Sequence, residues 1–239
     1  MIIPMDEFQM EVERVVMRTP EGERKRTRDE VAAVIAAGGD SFDGLLELIG
    51  NSAASAAVRA TAGWLFERLG DARAIPALIC ALRDSAAEVR CQSALALGTL
   101  GGEQAFDALL SALDDSDDRV ASVAASALGT LGDARAQPRL LGVLADRSRS
   151  SSRRGHAAES LVSVGDPTFA VPALIAALDD AEPEVRFWAA FALGQIGDER
   201  AVAPLERRSD DLAIVQGHST VGDEVREALS CLRGQRDSD

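Results

Sequence analysis

The hexapeptide ALGTLG stands at residues 96–101 and again, unchanged, at residues 127–132. Each copy ends an alanine- and leucine-rich stretch, a composition that favours helix. Glycines recur in the same register along the chain, at Gly39, Gly70, Gly101, Gly132, Gly165 and Gly197. The steps between them are 31, 31, 31, 33 and 32 residues. A fixed period of this size predicts a solenoid of stacked supersecondary units.

Each repeat has the pattern of two helices. In the first helix, apolar residues at i, i+1 and i+4 mark one face, as at Leu109, Leu110 and Leu113. A proline, which a first helical turn tolerates, precedes four of these apolar runs: Pro76, Pro138, Pro172 and Pro204. The second helix ends at the recurring glycine, and the aspartate after it can cap the next helix. ALGTLG is therefore predicted to end a second helix.

The composition agrees with an all-α fold. Hydrophobic residues make up 46% of the chain, aromatic residues only 4%, and tyrosine is absent. The core must therefore consist of Ala, Leu, Val and Ile, and Ala and Leu favour helix over strand. Three cysteines without a C-x-x-C pair, Cys80, Cys91 and Cys231, are expected as small buried hydrophobes. No uncharged run is long enough to span a membrane, so we expect a cytoplasmic protein.

The chain is strongly acidic. Its formal net charge is −14, and Lys25 is the single lysine among 25 basic residues. Such a surface is typical of proteins adapted to high salt, although a GC-rich genome also replaces lysine with arginine. It disfavours extended nucleic-acid binding, which needs a positive surface.

Three stretches carry a family resemblance: EVRCQSALALGTLGG, RVASVAASALGTLGD and EVRFWAAFALGQIGD, each followed by a helix of the A-x-x-P-x-L type. They resemble the HEAT-like repeats of the phycobilisome-lyase type over about residues 24–233. The resemblance implies a right-handed α-solenoid, an α-α superhelix of HEAT-like helix pairs with a period of about 31 residues.

The period divides the chain into predicted segments. A capping helix at 1–23 precedes the array and a disordered tail at 234–239 follows it. The array consists of a partial unit at 24–40, full units at 41–71, 72–102, 103–133, 134–166 and 167–198, and a C-terminal unit at 199–233 with a loop insertion at 210–223. We expect this array to be monomeric.

The second helices are expected to line the concave face of such an array. Their outward positions carry both tryptophans and two phenylalanines, and the full set is Trp64, Leu95, His156, Glu159, Phe187, Trp188 and Phe191. Aromatic residues on a groove are frequent binding anchors, so the sequence predicts a non-enzymatic scaffold that binds a protein partner there. The other interpretation is that the aromatic side chains fill the core between repeats.

An aspartate–arginine ladder accompanies the repeat. Asp84 precedes Arg90 by six residues, and Asp180 precedes Arg186 by six. In HEAT-like families the equivalent side chains hydrogen-bond between neighbouring turns, so the resemblance implies a structural role for these four residues.

Two further functions remain as alternatives. The bilin lyases that the repeat resembles attach or remove a linear tetrapyrrole, which would make this chain a chromophore-handling enzyme or subunit. A serine- and arginine-rich turn at 147–154 could bind phosphate or nucleic acid through four guanidinium groups: Arg147, Arg149, Arg153 and Arg154.

Other chemistry has no support in the sequence. No nucleophile or phosphate-binding motif is present. Deoxyhypusine hydroxylase, a di-iron enzyme with HEAT-like repeats, carries repeated His-Glu dipeptides, whereas this chain has only His156 and His218. Two histidines cannot supply such a site, so we expect no metal and no cofactor.

Overall fold

The computed structural model describes residues 41–236. The predicted capping helix at 1–23, the partial unit at 24–40 and residues 237–239 lie outside the described residues. The described part contains twelve α-helices and three short 3-10 helices. Its only β-type pairing is an isolated antiparallel bridge, so the all-α prediction is confirmed.

The helices fall into two compact units, Met1–Ala112 and Leu113–Asp239. The described helices of the first unit are α1 Ser41–Gly50, α2 Ala56–Leu69, α3 Ile75–Ala81, α4 Ala87–Leu100 and α5 Glu103–Ala112. Those of the second unit are α6 Asp118–Leu131, α7 Gln137–Ala145, α8 Ser151–Ser160, α9 Pro167–Ala177, α10 Pro183–Ile196, α11 Val202–Glu206 and α12 Val221–Arg236.

Within the N-terminal unit, the helices pack in the order that the repeat predicts. Helix α1 packs against α2, and α3 packs against α4, which gives helix pairs. Helix α2 also packs against α4, and α3 against α5, so first and second helices form separate layers. The fully buried side chains between these layers include Leu65, Phe66, Leu78 and Leu97.

The C-terminal unit repeats this arrangement. Its second helices are neighbours in succession, α6 against α8, α8 against α10 and α10 against α12, while α7 packs against α9. Leucines from both layers are completely buried, among them Leu128, Leu140, Leu174 and Leu193. Because α8 and α10 pack directly against each other, side chains from these two helices can form one site.

The ends of the second helices follow the sequence pattern. Helix α4 ends at Leu100 and α6 at Leu131, so both copies of ALGTLG close a second helix, as predicted. Gly132 has φ 66°, in the left-handed region that favours glycine. The following Asp133 accepts a hydrogen bond from the backbone N–H of Arg135 and caps a 3-10 turn, Ala134–Ala136, that leads into α7.

Three details differ from the predictions. Helix α11 ends at Glu206 and α12 begins at Val221, so the connecting loop is 207–220 rather than 210–223. Helix α12 continues to Arg236, which makes the first part of the predicted tail helical. The predicted burial of the cysteines is wrong: Cys80 is exposed, and Cys91 and Cys231 are only half-buried.

No helix among residues 41–236 is both long and apolar enough to cross a membrane.

Candidate partner-binding site

The residues predicted to line the concave face belong to both compact units. Trp64 on α2 and Leu95 on α4 lie in the N-terminal unit, where Trp64 is half-buried and Leu95 is 37% exposed. The remaining five lie on α8 and α10 of the C-terminal unit: His156, Glu159, Phe187, Trp188 and Phe191. We therefore describe the second group as a site of its own.

Trp188 is the centre of an aromatic cluster in the C-terminal unit. Its ring centroid lies 5.4 Å from that of Phe187 and 5.6 Å from that of Phe191, both in edge-to-face geometry. The imidazoles of His156 and His218 have their centroids 6.2 Å and 5.3 Å from the indole. Edge-to-face contacts of this kind stabilise aromatic pairs beyond the area they bury and orient the indole.

Gly155 on α8 allows the indole to lie against the backbone. A Cβ atom at this position would be 2.6 Å from Cδ1 of Trp188, which is closer than carbon atoms can approach. The glycine that interrupts the Arg154–His156 stretch therefore has a packing role, because it gives Trp188 its place on the α8 surface.

The two interpretations of the aromatic residues apply to different side chains. Phe187 is only 4% exposed, so it fills the core and does not act as a surface anchor. Trp188 and Phe191 are half-buried, with one part of each side chain in the cluster and another part accessible. Phe187 must be removed from the predicted contact surface, whereas Trp188 and Phe191 remain candidates.

The 207–220 loop completes the site with His218, which the face pattern of the sequence did not include. The imidazole of His218 lies 4.9 Å from the ring of Phe187, measured between centroids. Backbone hydrogen bonds close the loop: the N–H of Val215 donates to Ser219, and the N–H of Val221 donates to Ala213. No helical periodicity extends through this insertion, so the sequence offered no signal for the position of His218.

The same loop presents apolar side chains to solvent. Leu212 is 80% exposed and Ile214 is 76% exposed, while Val215 between loop and helices is buried. Exposed large apolar side chains beside an accessible aromatic cluster are typical of a protein contact surface.

A cavity of about 390 Å³ lies between α8, α10 and the loop. Its lining contains two carboxylates, two imidazoles and the indole, and the full set is Ser151, His156, Glu182, Pro183, Glu184, Trp188, Ile214, Val215, Gln216 and His218. No lysine or arginine belongs to this lining. The cavity is therefore polar and aromatic, and no lysine or arginine gives it a fixed positive charge.

Hydrogen bonds fix two of the lining side chains. The hydroxyl of Ser151 donates to Oε2 of Glu184 at 2.5 Å. Nδ1 of His156 lies 2.8 Å from the backbone oxygen of Ser152. Because a carbonyl oxygen only accepts, Nδ1 carries the proton in this bond and Nε2 is left as an acceptor in the neutral ring.

The aspartate–arginine ladder connects neighbouring repeats through hydrogen bonds between their turns. The carboxylate of Asp84 accepts from Arg59 at 2.7 and 2.8 Å. Arg90, six residues after Asp84, donates to the backbone oxygen of Asp84 at 2.8 Å. Each aspartate is thus held by an arginine of the preceding repeat, while the arginine of its own repeat binds the loop backbone.

Two further aspartates, Asp180 and Asp211, are also bound by an arginine of the preceding repeat. Asp180 accepts from Arg154 at 2.6 and 3.0 Å, and Asp211 accepts from Arg186 at 2.8 Å. Arg186 also donates to the backbone oxygen of Asp180 at 2.8 Å, as Arg90 does in its own repeat.

The ladder holds its carboxylates ionised. Burial alone would raise the pKa of Asp180, but hydrogen bonds from Arg154 and the backbone of Glu182 outweigh it and hold the pKa below its usual value. Hydrogen bonding from Arg59 is the main cause that lowers the pKa of Asp84. Buried pairs of this kind are costly to break from one side.

The serine- and arginine-rich turn is not an open basic patch. Arg154 is 3% exposed and is bound to Asp180. Arg153 pairs with Asp118 at 2.5 Å, and Arg149 pairs with Asp114 at 2.7 Å. Three of the four guanidinium groups proposed for phosphate are therefore already bound to carboxylates, and only Arg147 is exposed without such an ion pair among the described residues.

No group of three or more metal-ligating side chains occurs within residues 41–236.

Comparison with known proteins identifies the repeat. The family model for HEAT repeats matches residues 42–129, 106–170 and 147–221, and so covers more than half of the chain. No curated protein matches the sequence.

Solved structures show the same fold at low sequence identity. The complex of CpcE and CpcF of phycocyanin lyase from Nostoc sp. PCC7120 is 23% identical with a TM-score of 0.53, over 66% of this chain and 99% of that one. An engineered protein is 19% identical with a TM-score of 0.53, over 82% and 99% of the two chains. A mutant of Kap121p is 13% identical with a TM-score of 0.57, over 98% of this chain and 31% of the other. The fold is an α-solenoid, and the chain belongs to the family of HEAT-repeat proteins.

Proposed function

We propose that the protein is a non-enzymatic scaffold that binds a protein partner at the surface formed by α8, α10 and the 207–220 loop of its C-terminal unit. This surface lies on the second helices, the face that we predict to be concave. The observation that carries the proposal is the combination, in one place, of the half-buried Trp188, a cavity beside it and the exposed Leu212 and Ile214.

A partner would bind here by burying the side chains of a surface that is already formed in the free protein. Tryptophan is among the residues that contribute most to binding when a partner covers it. The indole is already oriented by its aromatic neighbours and by Gly155, and the loop is closed by backbone hydrogen bonds. A partner would therefore bind without a large loss of conformational entropy in this protein.

The hydrogen bonds at the site support a binding role over nucleophilic catalysis. Nδ1 of His156 faces a backbone carbonyl, and the hydroxyl of Ser151 is directed to Glu184. In a nucleophile–base pair the second ring nitrogen of the histidine would accept from the serine hydroxyl, whereas the hydroxyl of Ser151 donates to Glu184. We also propose a cytoplasmic location, in keeping with the three free cysteines, and a monomeric state.

The test is affinity capture from the native lysate at native salt, with quantification of each recovered protein. We compare the wild type with a Leu212→Ser, Ile214→Ser double variant, whose two side chains are exposed and contribute little to the core. The matched control is Phe169→Ser, which removes another exposed apolar side chain, 63% accessible, from α9. Circular dichroism establishes that all three proteins are folded.

We expect one protein to be recovered by the wild type and the control and lost from the double variant. Equal recovery by all three proteins would contradict the site. Recovery of a coloured ligand in place of a protein, or a red shift when a linear tetrapyrrole is added, would contradict the scaffold and favour the chromophore-handling alternative.

A further inference from the structure

We propose that the cavity beside Trp188 receives an arginine side chain of the partner. This inference rests on the proposed function and specifies the chemistry that its site would recognise. Two carboxylates in the cavity lining, the indole of Trp188 and the apolar side chains at the rim support it.

The charge of the lining favours a cation. Glu182 is exposed, and within the described part of the chain no hydrogen bond or ion pair engages its carboxylate. Glu184 is half-buried and uses Oε2 to accept from Ser151, which leaves Oε1 available to a ligand. No lysine or arginine in the lining pairs with these carboxylates, so a cationic ligand would be their counter-charge. The net charge of −14 adds a long-range attraction for basic partners.

The indole of Trp188 selects the shape of that cation. Tryptophan is the best cation–π partner among the aromatic side chains. A planar guanidinium can stack on the indole and still donate two parallel hydrogen bonds to a carboxylate. An ammonium group lacks this planar fork, so the combination of indole and glutamates favours arginine over lysine.

The apolar side chains at the rim of the cavity indicate which partner residues would flank the arginine. Ile214 lines the cavity and is 76% exposed, and Leu212 on the same loop is also exposed. An apolar residue beside the arginine would cover these side chains. The partner segment is therefore expected to carry an arginine flanked by leucine or isoleucine.

The experiment uses Trp188 as its own reporter. The chain has two tryptophans, so a Trp64→Phe variant leaves Trp188 as the single indole. We titrate it with the peptide acetyl-Leu-Arg-Ile-amide and with versions in which citrulline or lysine replaces arginine. Citrulline keeps the shape of arginine without its charge. Calorimetry on the unmodified chain provides the same affinities without any substitution.

We expect the arginine peptide to change the fluorescence saturably, the lysine peptide to bind several-fold more weakly and the citrulline peptide about tenfold more weakly. Glu182→Gln should weaken the arginine peptide about fivefold. This substitution leaves α10 intact, because Glu182 at the N-cap makes no side-chain capping bond. Glu227→Gln, which removes an exposed charge from α12 outside the lining, should leave the affinity unchanged.

The outcomes separate this inference from the proposed function. Equal binding of the arginine and citrulline peptides, or equal effects of Glu182→Gln and Glu227→Gln, would overturn the arginine pocket. If a captured partner depends on Leu212 and Ile214 but the arginine peptide neither binds nor competes, the pocket is overturned and the scaffold stands. If no partner is captured and no peptide binds, both proposals fail.

Discussion

At the scale of single residues, the pairing of Arg154 with Asp180 decides how the repeats are linked. Within the sequence, Asp180 stands six residues before Arg186, and the resemblance implied hydrogen bonds between neighbouring turns without giving the partners. The structure joins Asp180 to an arginine 26 residues earlier, and Asp84 to one 25 residues earlier. Sequence spacing could not reveal these partners, because contacts between adjacent repeats depend on how the helices stack.

Replacing Arg154 with methionine should destabilise the protein strongly. The substitution leaves the carboxylate of Asp180 buried without its main counter-charge, which costs about 3–5 kcal/mol in such sites. The measurement is the free energy of unfolding in urea. Arg233→Met is the control, because Arg233 and Glu206 form an exposed pair at 3.4 Å that should contribute less than about 1 kcal/mol. Similar losses in both variants would contradict the ladder described here.

Replacing Gly155 with alanine should disturb the site itself. The new Cβ would meet Cδ1 of Trp188 at 2.6 Å, so the indole must move, at a cost of about 1–3 kcal/mol. Gly142→Ala on α7 is the control, since no atom lies within 4 Å of its Cβ position. Alanine there should stabilise the helix by up to about 1 kcal/mol. We would measure unfolding, and Trp188 emission in the Trp64→Phe background, where an unshifted emission maximum in Gly155→Ala would refute the close contact.

At the scale of elements, the sequence predicted the regular helices well and the insertion poorly. The end of α6 at Leu131 and the positions of His156 and Trp188 on second helices follow from the period. The start of α12 does not, because it is set by a capping box. Thr220 accepts from the N–H of Asp223, and Asp223 accepts from the N–H of Thr220, both at 3.1 Å.

Removing the capping hydroxyl should weaken the start of α12. Thr220→Ala deletes the acceptor for the N–H of Asp223, and such losses cost about 1 kcal/mol. Ser219→Ala is the matched control, because Ser219 contributes to the loop through its backbone oxygen. Unfolding in urea measures both variants. A Thr220→Ala protein as stable as Ser219→Ala would show that the capping box does not hold the helix start.

The sequence predicted only part of the site, because helical periodicity does not extend into loops and does not reveal tertiary contacts. The helical register gave Trp188 and Phe191 an outward position, but it also gave one to Phe187, which turns into the core. Glu182 lies directly before α10, and His218 lies in the loop between α11 and α12, where no periodicity applies. Their presence beside Trp188 depends on tertiary packing.

At the scale of the whole molecule, the recurring glycine step determined the fold class. The period alone predicted an all-α solenoid, and the family match to HEAT repeats confirms it. A second property of the whole chain is its ladder of ionised aspartates, found in both compact units. The pKa values of Asp84, Asp180 and Asp211 all lie below the usual range.

Stability should therefore fall in acid. A folded-state pKa below the unfolded value means that these carboxylates stabilise the fold above the unfolded pKa, about 3.9, and lose this contribution as pH falls through the folded values. Burial raises the pKa of Glu224, whose contribution has the opposite sign, but it is a single group. We expect urea midpoints to be constant near neutrality and to fall below about pH 4. In Asp180→Asn, the urea midpoint should fall less steeply below about pH 4 than in the wild type. A wild-type midpoint that does not change in acid would contradict the stabilising role of the ionised aspartates.

The most direct test of the central claim is amide hydrogen–deuterium exchange of the protein alone and in complex with the partner that capture recovers. We expect slower exchange in the 207–220 loop and the first turns of α8 and α10, with unchanged exchange in α9 around Phe169. Protection confined to other helices, with the loop unaffected, would contradict a scaffold that binds its partner at the Trp188 site.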